Sequence, residues 1–154
     1  MNTNITKTWN ITISAREVFA RCTNESLNHV YNRATANPKG DAVALMLDDE
    51  SSFSMYFDFA IAKLHTLLAR RMEEPPIPSY DNDSHGVTFV LGMHQNHDNN
   101  MLPILIANCY DYVVKIVLEQ WFHIDLGSEL ARLEVNHCLH YRKNPVRRRF
   151  SPLV

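Results

Sequence analysis

Only two short segments of this 154-residue chain alternate apolar and polar residues, whereas most other apolar positions recur every three or four residues. In the first segment Trp9, Ile11 and Ile13 alternate with threonine and asparagine, and the second runs from Val87 to Met93. Alternation is typical of a half-buried strand, and the longer spacing of an amphipathic helix. Two isolated strands are marginal unless they pair with each other or with a neighbouring subunit. We therefore predict a mainly α fold with a small β-strand pair or hairpin.

About four helices are predicted to form a bundle. Ser14 and Glu17 form a capping-box pattern that starts a helix over about residues 15–35. The clearest helical spacing runs from Phe53 to Met72 and ends at three prolines. The polar stretch from Ser79 to Gly86 is predicted to be a loop.

The third and fourth helices follow the second strand. Asp98 to Pro103 resembles a helix start with proline in the first turn, and it opens a largely apolar helix that ends near Trp121. Gly127 or Ser128 starts the last helix. Its predicted apolar stripe consists of Leu130, Leu133, Cys138, Leu139 and Tyr141.

Composition and charge exclude several classes of protein. The chain has 15 basic and 17 acidic side chains and a net charge of -2, which excludes a wholly basic nucleic-acid binder. Its longest apolar stretches are interrupted by Pro103, Asn108, Asp111 and Lys115, which argues against a membrane-spanning helix. No export signal follows Met1, so we expect a protein that stays in the cytoplasm where it is made.

The basic side chains are unevenly distributed. Residues 142–154 contain five basic side chains and no acidic one, whereas residues 1–141 contain ten basic and 17 acidic ones. We predict a single α-rich domain over residues 1–141 and an extended basic C-terminal arm over residues 142–154. Because the arm ends in apolar residues, we expect it to dock on a partner rather than to serve only as a solubilising tail.

Two histidine clusters are candidates for metal chemistry. His94 and His97 stand three residues apart beside Asp98, but no further ligand motif accompanies them. His137 and His140 lie one helical turn apart, with Cys138 between them. The alternative for the first cluster is a solvated loop, which we favour because the further ligands of a metal site are missing. The alternative for the second cluster is a structural role, which we favour because adjacent residues do not share a helix face.

The remaining polar features do not indicate catalysis. Asp48, Asp49 and Glu50 fit a charged helix start at least as well as a cation site. No nucleophile motif or phosphate-binding loop occurs, so we predict no enzymatic activity, no cofactor and no resident metal. The odd number of cysteines favours packed, reduced thiols over a disulfide framework; the three are Cys22, Cys109 and Cys138.

The order of elements resembles a known protein family. The Leu47-Asp-Asp-Glu segment leads into a helix with Ala60 and Ala62 near its middle, and a proline stop and the strand from Val87 to Met93 follow. A long helix ending in Glu119-Gln-Trp-Phe, a last helix and the basic run complete the order. Over about residues 40–150 this pattern resembles the head-to-tail connector, adaptor or head-completion proteins of tailed bacteriophages.

The resemblance implies a structural protein of the virion that is assembled in the host cytoplasm. It would form a homo-oligomeric ring, commonly a dodecamer, next to the portal protein and the tail or further ring proteins, with no membrane contact. DNA would pass through its channel without specific binding. The arm that docks on the portal or a neighbouring subunit would comprise Arg142, Lys143, Arg147, Arg148, Arg149 and Phe150. The candidate inter-subunit strand is either the one that carries Val87, Phe89, Leu91 and Met93, or the one from Trp9 to Ile13.

A second hypothesis is a small nucleic-acid-binding or metal-dependent nuclease-like protein. The arginine-rich tail would contact phosphates, and His94 and His97 would hold a metal. The first hypothesis is favoured because phosphate-binding faces normally recruit basic residues from the folded body, which is acidic overall here.

Overall fold

The computed structural model describes residues 5–36, 50–81 and 84–141 of the chain. The elements, in chain order, are β1 (Ile5–Ser14), α1 (Ala15–Ala36), α2 (Glu50–Leu68), a short 3₁₀ helix (Ala69–Arg71), β2 (Ile77–Asp81), β3 (Ser84–His94), α3 (Met101–Phe122) and α4 (Ser128–His140). The predicted mainly helical class is confirmed, and so is the pairing of the two predicted strands. The predicted C-terminal arm lies outside the described residues.

The sheet is built on the β1 and β3 pair, which is antiparallel. Trp9 lies opposite Leu91, and Ile11 lies opposite Phe89. These four side chains are buried on the face that meets the helices. On the other face the Thr12 and Thr88 hydroxyls are 2.9 Å apart, as expected for a sheet with one face in solvent. The alternation in the sequence therefore predicted both the strands and the face that each buries.

A third strand, β2, pairs with β3 where a loop was predicted. Ile77 lies opposite Thr88 and Ser79 opposite Gly86, so residues 79–81 and 84–86 of the predicted loop belong to strands. The prediction was wrong because the pairing uses backbone groups, and the polar side chains of this segment gave no alternating signal. Pro78 is compatible with β2 because an edge strand needs no outward N–H group.

The sheet order β1-β3-β2 places β3 in the centre. Its backbone pairs with β1 on one side, and with β2 and Met72 on the other. This position corrects the expectation that the strand carrying Val87, Phe89, Leu91 and Met93 joins a neighbouring subunit, because its hydrogen-bonding edges are already paired within the chain. The other candidate strand, Trp9 to Ile13, lies in β1 at one edge of the described sheet.

The helix α3 is continuous from Met101 to Phe122 and is long and apolar enough to cross a membrane by length and composition alone. The residues that we expected to interrupt it do not: Pro103 lies in the first turn, and Lys115 pairs with Asp111 at 2.9 Å. In the fold α3 packs against α1, α2, α4 and β1. Its burial fits the central core helix of a folded domain.

The apolar stripe of α4 differs from the predicted one. Ala131, Val135, Cys138 and Leu139 are its buried residues. Leu130 and Leu133, which were predicted to face the core, are exposed. The helix is therefore rotated about its axis relative to the prediction, because two small or β-branched residues pack against α3 in place of the two leucines.

Candidate functional site

His97 is a structural residue of the turn between β3 and α3. Its side chain is 2% exposed, and its ring lies edge-on to Trp9 at 5.9 Å. Its Nε2 is 2.9 Å from the backbone oxygen of Leu139, and its Nδ1 is 3.3 Å from that of His94. Because a carbonyl oxygen only accepts hydrogen bonds, the Nε2 atom carries a proton and donates. His97 thus ties the end of α4 to the sheet.

The neighbouring polar residues also make local contacts. His94 Nδ1 accepts a hydrogen bond from the Asn96 backbone N–H, and Asp98 Oδ1 accepts one from the Asn100 N–H. These bonds shape the turn that leads into α3. Among the described residues, no group of three or more histidine, cysteine or acidic side chains is placed to hold a metal ion.

The second histidine cluster does not converge either. Cys138 is buried and accepts a hydrogen bond from Asn108, whereas His140 Nδ1 lies 2.8 Å from the Asn136 backbone oxygen. His137 is exposed, with its ring 6.2 Å from that of Tyr141. The structural interpretation therefore fits this cluster. Asp48 and Asp49 lie outside the described residues, as does the side chain of Glu50.

A groove of about 1080 Å³ lies between α2 and α4. One wall is formed by α2 and the 3₁₀ helix after it, the other wall by α4, and Tyr112 of α3 and Gly92 of β3 contribute between them. We call it the basic groove. Its lining residues are Phe59, Ala62, Lys63, Thr66, Leu67, Arg70, Arg71, Met72, Gly92, Tyr112, Arg132, Asn136, Leu139 and His140.

Positive charge is concentrated in the basic groove. Lys63, Arg70, Arg71 and Arg132 are four of the eight lysines and arginines whose side chains are described. None of the described residues that line the groove is acidic. The folded body therefore has a local surface of positive charge, although it is acidic overall.

Two of these cations are oriented by neighbours. Arg132 makes a two-pronged ion pair with Glu129 one turn earlier, with N–O distances of 2.6 to 3.0 Å. Lys63 Nζ lies over the Phe59 ring, 5.2 Å from its centroid. Burial raises the pKa of the Tyr112 phenol above its ordinary value, an effect that Arg132 partly opposes.

A second surface lies on the outer face of α4, and we call it the α4 stripe. It consists of Leu130, Leu133, His137 and Tyr141, and the first two are 65% and 49% exposed. Their spacing puts the three helical members on one side of α4, away from the buried residues. Both surfaces thus involve the same helix.

Sequence reasoning missed both surfaces. Nothing local in the sequence relates Lys63 and Arg70 to Arg132, more than 60 positions later in the chain. A detectable signal was the absence of acidic residues from Lys63 to Met72. The predicted docking residues, Arg142 to Phe150, lie outside the described part of the chain.

Comparison of the chain with protein-family models, curated proteins and solved structures gave no significant match.

Proposed function

We propose that this chain is a non-catalytic structural subunit of an oligomeric assembly, of the type represented by the head-to-tail connectors of tailed phages. The observation that carries the proposal is the α4 stripe. Leu130 and Leu133 are large, exposed side chains on one face of α4, and the exposed Tyr141 follows directly after the helix. Single exposed apolar residues are ordinary, but a grouped set marks a surface that another chain covers.

Chain connectivity supports the same conclusion. The α4 stripe ends at Tyr141, and the basic arm predicted from the sequence begins at the next residue. An arm that docks on a portal or neighbouring subunit would thus leave the domain beside the apolar face. Stripe and arm would form one continuous contact surface, with an apolar part and a charged part.

The outer edge of β1 offers a second contact for a neighbouring subunit. The Tyr110 hydroxyl accepts a hydrogen bond from the Ser14 N–H at 2.9 Å and donates one to the Thr12 oxygen at 3.3 Å. Arg21 covers the Tyr110 ring at 4.5 Å. These contacts protect one end of the edge. Because outward backbone groups occur at every second residue, those of Thr8 and Asn10 are the ones that a neighbour's strand would pair with.

The geometry of the histidines does not favour the metal-dependent nuclease alternative. Both ring nitrogens of His97 face backbone oxygens, and His94 Nδ1 already accepts a hydrogen bond. A metal needs an available lone pair on each ligand nitrogen. With the Nε2 proton of His97 donated to Leu139, its lone pair is on Nδ1, which faces the His94 backbone oxygen at 3.3 Å, so a metal at this turn would have to displace that oxygen.

The test is the mass of the full chain in solution by light scattering, over a range of concentrations. We expect an oligomer that the double variant Leu130→Glu with Leu133→Glu reduces to a smaller species. The matched control is Ile104→Glu on α3, which changes another large residue that is 49% exposed. A monomer at all concentrations would contradict the proposal. So would an oligomer that loses mass equally in the control.

A further inference from the structure

We infer that the basic groove binds a single strand of nucleic acid through its phosphate groups. This inference goes beyond the proposed assembly role and depends on different residues. Lys63, Arg70 and Arg71 come from the end of α2 and the turn after it, and Arg132 comes from the facing wall. Cations on two opposite walls are placed to contact a strand that lies between them.

The charge distribution is the first argument. A chain with a net charge of -2 places four of its eight described lysines and arginines around one groove, without an acidic residue among the described lining. Like charges that converge in this way repel one another and are stabilised when an anion enters. Glu129 offsets part of the charge of Arg132 from outside the lining, and Lys63 and Arg70 lie on the other wall.

The chemical nature of the lining is the second argument. Three of the four cations are arginines, whose planar groups match phosphate oxygens in pairs. Phe59, which lines the groove, is 43% exposed, so its ring can contact a base. Thr66 and Asn136 add neutral hydrogen-bonding groups. Basic residues interleaved with aromatic ones are typical of single-strand binding, in which bases stack and phosphates pair.

The size of the groove is the third argument. A volume of about 1080 Å³ is near the upper end of the range for small-ligand pockets, and it is bounded by two helices. A few nucleotides of one strand fit such a space. A duplex needs a longer concave or protruding basic face, as in the groove-reading motifs.

The experiment measures the binding of fluorescein-labelled dT12 and rU12 to the full chain by anisotropy, between 50 and 200 mM KCl. Four phosphate contacts on a single strand weaken binding about 50-fold over this range. The variant Lys63→Gln with Arg70→Gln should bind more weakly, and its salt effect should fall to about 7-fold. The control Arg16→Gln with Arg21→Gln removes the same charge from α1 and should keep the full salt effect.

Each alternative ligand has its own outcome. Binding of either oligonucleotide with the expected change in salt dependence supports the inference, and the ratio of the two affinities separates DNA from RNA. Tighter binding of a 12-base-pair duplex would overturn it, as would binding of poly-glutamate without binding of the oligonucleotides. If Arg147→Gln, Arg148→Gln and Arg149→Gln together abolish binding while the groove variant binds normally, the arm is the site and the inference fails. None of these outcomes depends on whether the chain forms an oligomer.

Discussion

The Ser128 hydroxyl donates a hydrogen bond of 2.5 Å to Glu119 Oε1 across the connection between α3 and α4. The other carboxylate oxygen accepts the backbone N–H groups of Leu126 and Ser128, at 2.8 and 3.1 Å. The first N–H groups of a helix have no partner within it, and Glu119 satisfies one of them for α4. One side chain near the end of α3 therefore fixes the start of the helix that carries both proposed surfaces.

Replacing Glu119 by alanine should lower the free energy of unfolding by about 2 to 3 kcal/mol, because hydrogen bonds to a charged group are lost and two N–H groups must find water. Urea denaturation measures this change. The control is Glu134→Ala, an exposed position on α4, which should stay within about 0.5 kcal/mol of the parent chain. Equal effects at the two positions would show that the carboxylate does not hold the start of α4.

Replacing His97 by alanine should destabilise the fold by about 2 to 4 kcal/mol, because it leaves a cavity beside Trp9 and removes the donor to the Leu139 oxygen. His137→Ala, at an exposed position, is the control and should have little effect on the stability of the isolated subunit at low protein concentration. The melting temperature of the parent chain should not change when zinc or EDTA is added. Stabilisation by zinc that His97→Ala abolishes would instead restore the metal hypothesis.

Leu130 distinguishes the observed core from the predicted one, and Leu64 is the buried reference. Leu64 of α2 is fully buried, so Leu64→Ala should cost about 2 to 5 kcal/mol. Leu130 is 65% exposed, so Leu130→Ala should change the stability of the isolated subunit by no more than about 0.5 kcal/mol. Thermal or urea unfolding at low protein concentration measures both. A large loss of stability on Leu130→Ala in a monomer would show that Leu130 faces the core, as the sequence predicted.

Local patterns predicted the elements that bury a regular face. The alternation of Trp9, Ile11 and Ile13 predicted β1. The capping-box prediction was also correct, because the Ser14 hydroxyl accepts a hydrogen bond from the N–H of Glu17 at the start of α1, at 3.3 Å. β2 was missed because an edge strand that pairs through its backbone needs no alternating side chains. The rotation of α4 was missed because both Leu130 and Ala131 fit a helical stripe, and only packing against α3 selects between them.

The candidate sites were less predictable than the fold because they join distant parts of the chain. The groove is lined by Lys63, Arg70 and Arg132 only because α2 and α4 pack on either side of Tyr112. The net charge of the chain sums over the whole surface, so it does not show that basic side chains are concentrated around one groove. His97 shows the reverse case, since a cluster that is polar in sequence becomes part of the core through contact with Leu139, 42 residues away.

The three thiols should be unreactive in the folded chain. Cys22, Cys109 and Cys138 are all buried and reduced, and burial raises the pKa of each, that of Cys109 to about 12. Since the thiolate is the reactive form, a disulfide reagent such as DTNB at pH 8 should label none of them rapidly in the native state and all three in urea. In the unfolded chain the same thiols ionise near pH 9, so the unfolded state releases protons that the folded state keeps. The contribution of the buried thiols to the free energy of unfolding is therefore complete below pH 9, and it falls as the pH rises above that value. Rapid labelling of any one thiol in the native protein would contradict its burial, and the alanine variant of each cysteine would identify it.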